Sequence, residues 1–85
     1  MKTMPCEIIS PEKLFLRDEA EFLVMPGTEG ELGVLPGHAR LVAMLKAGTV
    51  RFVKGGETRK IGIAAGFVLV EPGLVKIFTS SATAE

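Results

Sequence analysis

Turn-forming pairs break this chain into short apolar runs about every eight to twelve residues, and that rhythm constrains its fold more than any other feature. Ser10-Pro11, Pro26-Gly27, Ala47-Gly48, Gly55-Gly56 and Pro72-Gly73 separate runs at Met4–Ile9, Leu14–Arg17, Ala20–Met25, Arg40–Leu45, Thr49–Lys54, Glu57–Ile63, Phe67–Glu71 and Leu74–Thr79. Almost none of these runs carries the 3.6-residue apolar spacing of a helix, and most are too short for one. Gly55-Gly56 accepts positive φ at both positions and reads as a hairpin turn. Residues 40–45 are apolar nearly throughout, which fits a strand covered on both faces. The expectation is an all-β sandwich or barrel.

The segment Pro26 to His38 is different in kind. Four glycines and two prolines punctuate thirteen residues that also hold Glu29, Glu31, the only histidine, and Leu32, Val34 and Leu35. A plain strand does not tolerate so much Gly and Pro, and a plain loop has no need of three large apolar residues. The segment reads as a fixed docking face, with carboxylates at its turns and apolar groups anchoring it beneath.

What the chain lacks narrows the functions open to it. Its 85 residues make one domain with a thin core, since a chain this size buries only about 60% of its unfolded surface. Ten basic and ten acidic side chains cancel, and neither Trp nor Tyr occurs, so nucleic-acid binding has no support. The longest apolar stretch, Ile61 to Val70, falls short of the roughly 20 residues that span a bilayer. No phosphate loop or dinucleotide fingerprint is present. Cys6, the single cysteine, sits in an apolar run without a cationic neighbour and reads as a buried structural thiol in a reducing compartment. Glu29, Glu31 and His38 together hold metal-ligating groups, but solvated turn carboxylates and a loop-packed histidine account for them far better, since nothing in the sequence supplies a matching second shell. No catalytic residue, cofactor or metal is expected. Outside any family, the alternative is a free-standing β-sandwich that binds a peptide or small ligand, its strand edges open to β-augmentation.

The run Pro26-Gly27-Thr28-Glu29-Gly30-Glu31-Leu32-Gly33-Val34-Leu35-Pro36-Gly37-His38-Ala39, continued by Leu41-Val42-Ala43-Met44-Leu45-Lys46-Ala47-Gly48, resembles the N-terminal domain of the ε subunit of F-type ATP synthase. Ile9-Ser10-Pro11-Glu12 and Ala65-Gly66-Phe67-Val68-Leu69-Val70 support the resemblance, which runs from about residue 6 to residue 79. It implies a flattened β-sandwich of about ten short strands over residues 1–80. It also implies a non-catalytic place in the rotor stalk, joining the γ subunit to the polar loops of the c ring and coupling ion flow to ATP synthesis on other chains. Such a subunit would be peripheral on the cytoplasmic side of a bacterial inner membrane, reaching the membrane only through its partners. Glu29, Glu31, Gly33, His38, Leu41 and Met44 match the family segment expected to touch the c ring or γ; Glu31 would face c-ring loops that carry basic and amide groups.

The chain departs from the family at several points: the acidic residue common near the end of the last strand is replaced around Ser80, and Pro72-Gly73 shortens the turn before that strand. Arg40 stands where the family often has proline, and residues 81–85 form a short tail where the family's two C-terminal helices would begin. The early end fits either a naturally short form or a shortened version of a longer chain; Met1-Lys2 reads as a native start and favours the first, and in either case neither helix-mediated inhibition nor nucleotide binding is expected.

Overall fold

The computed structural model describes residues 2–85; Met1, where the expected domain and the native-start reading both begin, lies outside the described residues. Among the described residues there are ten strands and no helix: β1 (Met4–Ile9), β2 (Leu14–Ala20), β3 (Phe22–Gly27), β4 (Gly30–Val34), β5 (Leu41–Leu45), β6 (Gly48–Lys54), β7 (Glu57–Ile63), β8 (Gly66–Glu71), β9 (Leu74–Thr79) and β10 (Ala82–Ala84). They run in the order β10-β7-β6-β3-β5-β8-β9-β1-β2, with β4 paired to β3 off that path. Every pairing is antiparallel except β1 with β9. The expected sandwich of about ten short strands is the fold observed.

Period-two burial builds the core. β1 and β9 alternate buried and half-buried positions along their whole lengths, which sends Cys6, Ile8, Val75 and Ile77 inward. Leu23 and Met25 of β3, Val34 of β4, Leu45 of β5, Val50 of β6 and Val68 and Val70 of β8 meet them, all at most 2% exposed. Cys6 is fully buried, as expected, and its Sγ contacts the Met4 carbonyl. Burial, then the charges of Glu19 and Asp18, push its thiol up to about 12, so it stays protonated.

Pro26 and Gly27 are not the turn the sequence suggests; both belong to β3, and Thr28-Glu29 forms the turn into β4. The reason lies in how β3 is shared. β4 pairs with it from Leu23 to Gly27, while β6 takes Phe22 to Val24 and β5 takes only Gly27. Pro26 falls in the gap between β6 and β5, where its missing N–H breaks no ladder. Its carbonyl still accepts the Lys46 N–H at 2.8 Å. At the other seam β2 closes against β6 and β7, where Asp18 meets Lys54 at 3.5 Å and Arg59 at 3.1 Å.

Two further expectations change. Leu35 is 58% exposed and does not anchor its segment, a role left to Val34 and half-buried Leu32. The stretch 81–85 is not a tail outside the sheet: β10 pairs Ala82 with Ile63 and Ala84 with Ile61, and the Glu85 N–H donates to Lys60 O at 2.9 Å.

Among the glycines, Gly66 has the least room for a side chain: an added Cβ would sit 1.9 Å from the Phe78 carbonyl oxygen of the neighbouring β9. Gly66→Ala should therefore cost about 3 kcal/mol and lower the thermal midpoint by roughly 10 °C or more. Gly73→Ala, with open space around it, should stay within about 0.5 kcal/mol of the parent. Equal midpoints for the two variants would refute this packing.

Candidate functional site

The β3–β4 hairpin projects Glu29 from its turn and Glu31 from its second strand, both exposed. Two backbone bonds tie the hairpin to β5: the Thr28 N–H donates to Met44 O at 3.1 Å, and the Lys46 N–H to Pro26 O. An open groove of about 470 Å³ lies between the hairpin tip and β5, bordered by Thr28, Glu29, Glu31, Leu32, Val42 and Met44. Glu29, Glu31 and Met44 thus come together around one depression.

The other expected residues behave differently. At Gly33 an added Cβ would lie 3.1 Å from the Phe22 ring, so this position makes room for the aromatic side chain and offers no side chain of its own. Leu41 and Met44 stand three apart in one strand and so point to opposite faces. Leu41 packs against the core and Met44 is 59% exposed. His38 ends the turn Leu35-Pro36-Gly37-His38, in which its N–H donates to Leu35 O at 3.1 Å. Gly37 at φ 84° supplies the left-handed residue that a turn with proline before it requires. The His38 ring is half-buried, with Nδ1 2.7 Å from Ala39 O; facing a carbonyl, that nitrogen donates. Among the described residues no three His, Cys, Asp or Glu side chains group to hold a metal ion, so Glu29, Glu31 and His38 do not assemble as one site.

The apolar run at 41–45 fits a strand covered on both faces, but the outer face that β5 shares with β8 and β9 is exposed. Val42 is 64% exposed and stands opposite Leu69; Met44 stands opposite Phe67, which is 40% exposed and stacks on Phe78 at 4.7 Å. Phe67 and Phe78 also line a second, mostly apolar depression of about 450 Å³ with Ile9, Pro11 and Thr79. The unbroken apolar run at 41–45 was the available signal: in a strand it must put large side chains on both faces. Sequence reasoning passed over Arg51, which pairs with Glu31 at 3.3 Å.

Charge concentrates instead at the seam of β2 with β6 and β7. The Asp18 carboxyl is held below its ordinary value of 3.8 by the Glu19 backbone N–H first, against a smaller opposing effect of burial, and then by Lys54 and Arg59. A lowered folded pKa stabilises the fold above the ordinary value and loses that contribution as pH falls through the folded one. Asp18→Asn should therefore be less stable than the parent at pH 6, with the gap closing below about pH 4. Chemical denaturation across pH measures it, and a gap that persists at pH 2 would contradict the assignment.

Comparison with known proteins adds to this geometry. Residues 3–85 match the family model described as the ATP synthase, Delta/Epsilon chain, beta-sandwich domain. The chain is 41% identical over 81 residues to the ATP synthase epsilon chain of Desulforamulus reducens, covering 95% of itself and 61% of that protein. It is 39% identical over 84 residues to the epsilon chain of Bordetella petrii, covering 96% of itself and 59% of that protein. The chain therefore spans about three-fifths of the length of these curated relatives. Among solved structures, it superposes on a chain of the Euglena gracilis mitochondrial ATP synthase (OSCP/F1/c-ring) with TM-score 0.87 and 27% identity, covering 96% of itself and 53% of that chain. A chain in the central stalk/c-ring structure of the Tetrahymena thermophila mitochondrial ATP synthase shares the fold at TM-score 0.74 and 12% identity, with 95% of this chain and 66% of that chain covered.

Proposed function

The chain belongs to the ATP synthase delta/epsilon-chain β-sandwich family, and on that premise we propose that it is a non-catalytic part of the central stalk, linking the γ subunit to the c ring. The observation that carries this reading is the exposed apolar stripe of Val42, Met44 and Phe67 beside the acidic hairpin. An outward cluster of large apolar side chains is costly to leave in water and suits a permanent partner. The γ subunit takes that place. Glu29 and Glu31 lie at the rim of the same region and meet the polar loops of the c ring. His38 borders the contact through the turn that precedes β5.

A stalk component must carry torque without deforming, and a sheet that closes on itself gives a stiff body. ATP synthesis and ion flow take place on other chains; this one holds their coupling geometry. Its location is peripheral, on the cytoplasmic side of a bacterial inner membrane, and it is held there by its partners. No helix among the described residues is long and apolar enough to cross a membrane.

Co-expression with the γ subunit from the same source, followed by gel filtration, tests the reading. The parent chain should co-elute stoichiometrically with γ, and Met44→Lys should weaken that association about tenfold or more by placing a charge in the apolar contact. Glu31→Lys should leave the domain folded and the γ contact intact, yet lower the coupling of ion flow to ATP synthesis in the assembled enzyme. Undiminished co-elution of Met44→Lys would remove the γ contact from this face, and an unchanged coupling ratio in Glu31→Lys would remove the c-ring contact.

A further inference from the structure

Arg51 on β6 stands directly opposite Val24 on β3, so both side chains share one face of the sheet. Glu31 on β4 stands opposite Pro26, two residues along β3 on that same face. The Arg51 guanidinium reaches across the intervening strand to the carboxylate. Nη1 lies 3.3 Å from Oε2 and Nη2 3.5 Å from Oε1, a two-point contact between fork and carboxylate. Val24, which lies between them on the outward row, is only 8% exposed. Gly33, the next outward position after Glu31 on β4, has no side chain to compete for that space.

Stability is a poor explanation for this pair. The Glu31 side chain is 67% exposed and that of Arg51 38%, and ion pairs so open to water contribute little. What such a pair does bias is the direction of the carboxylate. An ionised carboxylate has about four acceptor sites, and the guanidinium fork occupies two of them. The remaining two are left for a partner, on a side chain that is 67% exposed and whose charge Arg51 offsets.

We propose that Arg51 is a positioning residue for Glu31: it holds the carboxylate in one orientation and cancels its net charge, so that the hairpin offers a partner loop two aligned acceptor sites. This rests on the reading that Glu31 contacts the c ring. It also names the chemistry of the contact. A compensated carboxylate is suited to neutral donors, such as side-chain amides, hydroxyls or backbone N–H groups, ahead of a lone cation.

The test uses the full chain bound to γ and the c ring, with affinity for the c ring measured for Glu31→Gln, Arg51→Met, Arg51→Lys and the double variant Glu31→Gln/Arg51→Met. Arg51→Met should bind about fivefold more weakly than the parent, the size expected when one hydrogen bond loses its orientation. Arg51→Lys keeps the charge but not the fork and should fall between the two. The double variant should bind no more weakly than Glu31→Gln alone, because Arg51 acts only through Glu31. A general structural defect would instead give additive losses and a lowered melting temperature. If Glu31→Gln weakens binding while Arg51→Met matches the parent, the positioning role is overturned and the Glu31 contact stands. If Glu31→Gln itself binds like the parent, the c-ring reading of Glu31 falls and this inference falls with it.

Discussion

A single six-residue strand, β3, serves three neighbours, and the rest of the sandwich depends on how it divides them. Its first half bonds to β6, its last residue bonds to β5, and β4 runs along the remaining edge. The change of partner from β6 to β5 leaves Met25 and Pro26 between the two pairings, so the N–H that Pro26 lacks is missed by no ladder. The same junction brings the tip of the β3–β4 hairpin against β5 through the Thr28 and Lys46 amides. Acidic side chains from one half of the sheet therefore stand beside apolar side chains from the other. Neither half alone would make that juxtaposition.

Much of this was legible in the sequence, because period-two patterning is a local property. β1, β7 and β9 have the bounds that their apolar runs mark, and the buried state of Cys6 follows from the run that contains it. Pro26 was misleading for a physical reason: a proline ends a strand unless the neighbouring strand happens to be absent at that position, and only the three-dimensional sheet shows that it is. β10 was equally hidden. Ala82–Ala84 has no strand signature of its own and is held by the edge of β7.

The candidate site divides along the same line. Glu29 and Glu31 were found from their place in a Gly- and Pro-punctuated segment, and the structure puts both at the surface. That Leu41 and Met44 cannot share a face follows from parity once the strand is granted. Glu31 and Arg51 lie twenty residues apart, joined only because β4 and β6 flank the same strand, and no spacing rule finds such a pair. The apolar stripe is similar: Val42, Met44, Phe67 and Phe78 become neighbours through the register of three strands.

The central claim is that the β5–β8 face is covered by a partner in the assembled rotor. Cysteine accessibility tests it most directly, since the one native thiol is buried and protonated and an introduced cysteine would be the only reactive one. The measurement compares maleimide labelling of Met44→Cys with that of Thr58→Cys, on an exposed stretch of β7, in the free chain and in the complete complex. The account requires that Met44→Cys react readily in the free chain and become protected on assembly, while Thr58→Cys stays reactive in both. Undiminished labelling at Met44→Cys in the complete complex would contradict it.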